Sequence, residues 1–400
     1  MGPLDGVRVV EFGLGIVGPY AAMLLADMGA DVVKVEPPTG DINRAALVSE
    51  GDYQVGSQFY ACNRNKRVVC LNLQTADGLI AAKKLIAEAD VLVENMRGGV
   101  MDRLGLSYES LRTDDPRLIY ASASGYGPKG PRAEESSLDI IAQAAGGVAA
   151  HTGLPETGPL PAGTALADHA GAVWTALGVM FALYGRQQTG AGQRVQTSLL
   201  GSQIGMQAWE LSHFLLNGAD MGAAGKGHPL AGGIWRVFDA ADGSFSLTWV
   251  TDDRWAALCQ VLDQEPLATD ARFSTGLARL QNSAALIEIL VDVFASWSLA
   301  DLLPKLEATG QVFSKVMDYA DLAADPQVLD NDYITSFQSP DYGLLRMVGF
   351  PVALSETPAE VRSRPPDLDQ HTAEVLAELG YDDSEIATLF ASGSVGHPTD

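Results

Sequence analysis

Short β-branched runs alternate with helical stretches through the first 125 residues, and this alternation constrains the fold more than any other feature of the chain. Val7–Phe12 (VRVVEF), Asp31–Glu36 (DVVKVE), Val68–Leu73 (VVCLNL), Asp90–Asn95 (DVLVEN) and Leu118–Ser122 read as strands. Pro19–Met28, which begins with Pro and stops at Gly29, and Gly78–Ala89 read as helices between them. Strands separated by helices predict a parallel sheet covered on both faces.

The middle of the chain is richer in helix. Ser137–Ala145, Ala170–Gln187 and Gln203–Leu216 are predicted helices, and Gln193–Leu199 a further strand. A Gly- and Ala-rich stretch, Asn217–Gly233, reads as a linker or mobile loop. A hairpin pattern over Ile234–Val250, turning at Asp242-Gly243, and helices over Leu277–Ala295 and Leu299–Ala308 follow it. The tail returns to short strands and ends in two helices, His371–Leu379 and Ser384–Phe390. The expected architecture is α/β: a Rossmann-like large domain from residues 1–216 and 326–400, with a small α+β domain and its linker, 217–325, inserted between them.

Composition excludes several function classes. Hydrophobic residues make up 47% of the 400, enough for a large core. Twenty-six Lys and Arg against 50 Asp and Glu give a net charge of −24, which argues against a nucleic-acid partner. A few local cations can still form a pocket for an anionic small ligand. Cys62, Cys70 and Cys259 are too few and too scattered for a disulfide framework or a zinc site; each reads as a small buried hydrophobe in a reducing compartment. The start, MGPLDGVRVVEF, shows no signal-peptide pattern. The longest apolar run, Ala170–Tyr184, reads as a core helix rather than a membrane span, and a cytoplasmic location is expected.

Gly13-Leu14-Gly15-Ile16-Val17-Gly18 matches GxGxxG between a strand and a helix, and Glu36 ends the next strand. This is the context of a dinucleotide fingerprint, in which glycines let the backbone approach a pyrophosphate and the acid binds a ribose hydroxyl. An NAD-dependent oxidoreductase using Gly13, Gly15, Gly18 and Glu36 is therefore one reading; a tight βα turn whose glycines serve packing is the other. Pro19 removes an N–H from the helix start, and Pro37-Pro38 stiffens the place a ribose would occupy, both against NAD.

Eight ordered segments together carry a resemblance: LDGVRVVEFGLGIVGPYAAMLLADMGADVVKVEPPTGD, NRNKRVVCLNLQTADG, ADVLVENMRGGVMDRLGLSYESL, PRLIYASASGYG, LDIIAQAAGG, GTALADHAGA, RQQTGAGQRVQTSLL and QHTAEVLAELGYDDSEIATL. They run from residue 4 to about residue 390, and the chain resembles the class III CoA-transferases, the group of formyl-CoA transferase, carnitine CoA-transferase and alpha-methylacyl-CoA racemase. The resemblance implies a Rossmann-like core that does not bind NAD. It also implies a homodimer of two interlocked ring-like subunits, and coenzyme A as substrate and acyl carrier, with no metal.

The resemblance makes Asp168, in GTALADHA, the nucleophile. A carboxylate at a helix N-terminus is favoured in its ionised form, and covalent capture divides a difficult acyl exchange into easier steps. Read without the resemblance, an Asp before a helix is a cap. Asp139, in SSLD, is the second acid the resemblance places in the site; a capping or exposed helix carboxylate is the alternative. Racemases of the group carry His where this chain has Leu138, which cannot exchange a proton, so an acyl-CoA racemase or isomerase is disfavoured. A catalytically silent CoA-binding protein is a further alternative.

For CoA, the resemblance points to Leu71, Asn72 and Gln74 in CLNLQT, to Asn95, Met96 and Arg97 in VENMRGG, and to Arg103 as a phosphate partner. Arg97 and Arg103 also read as solvated helix charges, and Leu71 and Met96 as core residues. Ile16, Pro37, Ser136 and Leu138 stand where formyl-CoA transferase has Gln, Arg, Lys and Tyr, which speaks against formate–oxalate exchange. Lys34, Arg64, Lys66 and Arg67 are candidates for the missing nucleotide contacts. The loop Gly225–Gly233 falls where the family places a glycine-containing lid over the acyl group, and reads equally as a linker. His151, His213, His228, His371 and His397 lack metal-ligand spacing, and His169 beside Asp168 reads as structural.

Overall fold

A computed structural model describes residues 2–45 and 56–396; His397 lies outside them. The chain divides into two compact units, one of Met1–Gly146, Gly163–Met206 and Pro326–Asp400, the other of Gly147–Ala162 and Gln207–Asp325. The boundary expected at 217 falls at Gln207. There the predicted helix over 203–216 breaks into Leu199–Met206 and Ala208–Asn217, because Gln207 leaves helical dihedrals (φ −106°, ψ 31°). Residues 147–162 also belong to the smaller unit.

The larger unit is built on a six-stranded sheet in the order β3-β2-β1-β4-β5-β6. The strands are β1 (Arg8–Glu11), β2 (Asp31–Glu36), β3 (Lys66–Cys70), β4 (Val91–Glu94), β5 (Ile119–Ser124) and β6 (Arg194–Ser198). All neighbouring pairs are parallel. Alternate residues feed two separate cores. Val9, Val32, Val91, Val93 and Ile119 face one layer, with α1 (Val17–Asp27) and the long helix Leu166–Thr189. Val10, Val33, Val69, Leu92 and Tyr120 face the other, with α2 (Ala76–Ala87) and the C-terminal helices Thr372–Glu378 and Asp383–Ala391. A sheet buried on both faces needs apolar residues at consecutive positions, which explains the near-continuous Val-rich runs.

Local chemistry sets the helix ends. Thr75 caps α2 by accepting from the amide of Gly78, with Asp77 in the first turn and Lys84 in the last. One further helix, α3 (Asp139–Ala145), completes the frame of the site with the long helix Leu166–Thr189, here α4. α4 is the one helix among the described residues long and apolar enough to cross a membrane by length and composition. Its Ala167, Ala170, Ala172, Thr175, Ala176 and Val179 are buried within the unit.

In the smaller unit, β7 (Trp235–Ala240), β8 (Gly243–Thr248) and β9 (Val312–Lys315) form an antiparallel sheet. The hairpin forms, but its two turn residues are Ala241-Asp242, one position before the expected Asp242-Gly243, because Gly243 already pairs with Ala240 as the first residue of β8; β9 was not legible in the sequence. Phe294, on the helix Ser283–Ala295, meets Phe238 and Phe245 edge-on at 4.9 and 5.0 Å. The helix expected over 277–295 breaks at Asn282. A last hairpin, β10 (Ile334–Ser339) and β11 (Gly343–Val348), belongs to the larger unit.

Candidate active site

In a doubly wound sheet the ligand crevice opens at the carboxyl ends of the strands where the winding reverses. Here that point lies between β1 and β4, since the chain proceeds from β1 towards β2 and β3 and from β4 towards β5 and β6. A hollow of about 420 Å³ sits there. Its walls are the glycine loop after β1 (Leu14–Val17), the turn after β4 (Asn95–Gly98), the end of β5 (Ala123–Gly125), the approach to α3 (Glu135–Leu138) and Asp168 of α4.

The glycine loop is shaped by packing. A Cβ at Gly13 would stand 2.8 Å from Pro19 Cδ and 3.0 Å from Gly18 Cα, and Gly15 has φ +81°. Asn95 clamps the loop from the next strand: its Oδ1 accepts from the Leu14 amide at 2.9 Å and its Nδ2 donates to the Leu14 carbonyl at 2.8 Å. Glu36 is not available to a ribose. Its carboxylate accepts from Arg44 at 2.7 and 2.8 Å and from the Asp41 amide at 2.8 Å. The loop therefore follows the packing alternative, and the oxidoreductase reading loses its acidic ligand.

Asp168 and Asp139, distant in sequence, meet at the start of α4. Asp139 Oδ1 accepts from the amides of Ala167 (2.7 Å) and Asp168 (3.2 Å), and its Oδ2 accepts from Gln143 Nε2 at 2.6 Å. Asp139 thus acts as a cap supplied from another helix, closing two of the amides a helix start leaves unpaired. Asp168 lines the hollow. Burial, and then the charge of Asp139, push its pKa up to about 6, against a smaller lowering by His169. His169 donates from Nδ1 to the Ala165 carbonyl (2.8 Å) and lies edge-on to Tyr20, a structural setting.

A second hollow, of about 480 Å³, is lined by Pro37, Pro38, Leu71, Asn72, Gln74 and Met96 among others. Leu14 and Met96 line both hollows. The structure therefore brings Leu71, Asn72, Gln74 and Met96 together, and Met96, Arg97 and Asp168 together. Arg97 is exposed on the wall of the Asp168 hollow. Leu71 is buried beside Val395, and Asn72 donates from Nδ2 to the Gly393 carbonyl, so the C-terminal tail supports this wall. Arg103 ends the short helix Val100–Arg103 and lines neither hollow.

The four basic candidates for further nucleotide contacts are all engaged elsewhere. Lys34 and Lys66 are fully buried on either side of Glu11, at 2.9 and 2.7 Å, and Lys34 also faces Asp41. Burial opposes the charge on Glu11, but the two ammonium groups win and hold its pKa below the usual carboxylate range. Arg64 is tied to Asp27, and Arg67 to Asp31, Glu374 and Glu378. Lysines in strands look solvated in a sequence; their register against an acid on the neighbouring strand, Glu11 opposite Lys34, is what buries them.

Glu94 was missed. It stands at the end of β4, 8% exposed, and accepts from the Met96 amide at 2.8 Å. A charged residue inside a Val- and Leu-rich strand of a covered sheet is the signal that could have found it. The loop at 225–233 belongs to the smaller unit, where Leu230–Gly233 line a separate cavity of about 770 Å³ together with Trp209, Trp235 and Trp249.

A family model described as CoA-transferase family III matches residues 4–372. The succinate–glutarate CoA-transferase of Agrobacterium fabrum is 33% identical over 383 residues, covering 94% of this chain and 96% of its own. The succinyl-CoA:mesaconate CoA-transferase of Haloarcula hispanica is 36% identical, covering 95% and 97%. Among solved structures, a CAIB/BAIF family protein from Brucella suis superposes with a TM-score of 0.86 at 34% identity, covering 94% of this chain and 99% of that one.

Proposed function

The chain belongs to CoA-transferase family III, and from that premise we propose that it moves CoA from an acyl-CoA donor to a free carboxylic acid through an aspartyl-CoA thioester at Asp168. The observation that carries this reading is Asp168 in the switch-point hollow, its own amide held by Asp139.

The chemistry follows from that setting. An Asp168 carboxylate oxygen adds to the thioester carbonyl; the C–S bond breaks and CoA leaves as thiolate, giving a mixed anhydride. The thiolate then adds to the aspartyl carbonyl and expels the first acid as its carboxylate, leaving aspartyl-CoA. An acceptor carboxylate runs the two steps in reverse. Each step exchanges one anion for another, so no proton needs to move. Burial that disfavours the Asp168 anion also makes it a better nucleophile than a solvated carboxylate. Leu138 lines the same hollow and supplies no base, which supports transfer over racemisation.

Leu71, Asn72, Gln74 and Met96 would follow the CoA arm, and Arg97 would meet an anionic group at the rim. Arg103 stays a candidate for a phosphate beyond these walls. The relatives named above act on succinate or succinyl-CoA, so succinyl-CoA is the first donor to offer. We also propose a homodimer, supported by the uncovered apolar face of α4, and a reducing compartment such as the cytoplasm, supported by three buried free thiols.

Incubation with succinyl-CoA, quenching with hydroxylamine and intact-mass measurement tests the covalent step. A hydroxamate at Asp168, absent from Asp168→Ala, is expected. Turnover by Asp168→Asn at the parent rate would overturn the proposal.

A further inference from the structure

Met96, which with Leu14 lines both hollows, sits in the segment Asn95-Met96-Arg97 that leaves the end of β4. Two side chains fix it. Asn95 ties it to the glycine loop. Glu94 reaches forward to the Met96 amide at 2.8 Å. Glu94 is 8% exposed and has no ion-pair partner within 4 Å among the described residues. The charged and titratable groups around it are Arg194 on β6, which pairs with Glu109 at 3.5 Å, Tyr120 on β5 and Asp102 on the helix Val100–Arg103. A buried carboxylate without a cation is costly, and a neutral Gln of the same shape could accept the same hydrogen bond. What the charge adds is strength: a hydrogen bond to an ionised acceptor is roughly twice as strong as a neutral one.

We propose that Glu94 is a positioning residue for acyl-CoA: its ionised carboxylate grips the Met96 amide, sets the Asn95–Arg97 segment through which Met96 lines both hollows, and loosens that segment when it takes up a proton. The inference rests on the CoA-transferase reading of these hollows. Burial, partly offset by the Met96 amide and Arg194 and reinforced by Asp102, pushes the Glu94 pKa up to about 7. The carboxylate is therefore ionised above that pH, where the grip is strong, and neutral below it. Affinity for CoA then falls as pH drops through neutrality, apart from any titration of CoA itself.

Calorimetric titration of the full-length protein with CoA between pH 6 and pH 8.5 tests this, alongside Glu94→Gln and Glu94→Met. The parent is expected to bind about five- to tenfold more tightly at the alkaline end. Glu94→Gln should lose the inflection near pH 7, bind at close to the parent's acidic-limb affinity throughout, and melt at the same or a higher temperature. Glu94→Met, which removes the acceptor, should bind more weakly than Glu94→Gln at every pH. In turnover assays at pH 8, KM for the acyl-CoA should rise in both variants more than kcat falls. Unchanged CoA affinity at pH 8 in either variant, or an inflection that survives in Glu94→Gln, overturns the inference and leaves the transferase reading standing. Failure of the parent to bind CoA at any pH overturns that reading, and the inference with it.

Discussion

Asp168 is held in a place that disfavours its charge, and on the proposed mechanism it has to be charged to act. Burial and the neighbouring Asp139 raise its pKa to about 6, so the anion, the proposed nucleophile, is the minor form below that pH. Transfer from succinyl-CoA should therefore rise with pH through about 6, read as kcat/KM against pH. The same shift has the opposite sign for stability. The unfolded carboxyl ionises near 3.8. Between that pH and about 6 the folded state gives up stability, and above 6 the whole loss is present. Asp168→Asn removes the charge and should be more stable than the parent at pH 8 by about 1–3 kcal/mol in denaturant unfolding, with the difference vanishing near pH 3. Activity should disappear in the same variant. Asp139→Ala should act otherwise: it strips the cap from the amides of Ala167 and Asp168, costing about 1–2 kcal/mol and lowering kcat together. A fully active Asp139→Ala with an unchanged melting temperature would refute its positioning role.

The glycine loop and the strands beneath it behave as one element. Gly13→Ala should destabilise the fold by about 1–3 kcal/mol, because its Cβ meets Pro19 and the Gly18 backbone. Glu36→Gln should weaken the tie to Arg44, and NAD should produce no binding heat with the parent; a micromolar NAD affinity lost in Glu36→Gln would reinstate the dinucleotide reading. At this scale the sequence was informative in proportion to how local the cause was. Strand and helix order follow from periodicity, and β2 falls at its expected ends. Asp168 could be named because it opens a long helix inside a recognisable motif. What the Asp139 carboxyl does could not, because the amides it caps lie 28 and 29 residues away. Lys34 and Lys66 misled for the same reason: only the pairing of β1, β2 and β3 places both beside Glu11. Helix breaks at Gln207 and Asn282 interrupt apolar patterns that run straight through them.

For the whole molecule, α4 poses the sharpest question. One side of the helix is buried beside α1 and the sheet. Along the other side Val173, Trp174, Leu177, Met180, Phe181 and Tyr184 are exposed. Their spacing of three and four residues draws a continuous apolar stripe, and Phe181 and Tyr184 are 67% and 66% accessible. Soluble monomers rarely expose so large a patch, whereas a partner surface of similar character buries it. A net charge of −24 disfavours close approach of two copies at long range, so the apolar area has to outweigh a repulsion that salt screens. The parent should therefore run at twice 42.2 kDa in sedimentation, and more completely so in 0.5 M salt than in low salt. Phe181→Glu combined with Tyr184→Glu adds charge at the most exposed, C-terminal end of the stripe without touching the buried side of α4. That variant should sediment as the single chain while keeping the helical content of the parent, measured by circular dichroism. A parent that sediments as one chain at every salt concentration, or a double variant that still pairs, would rule out this face as the dimer contact.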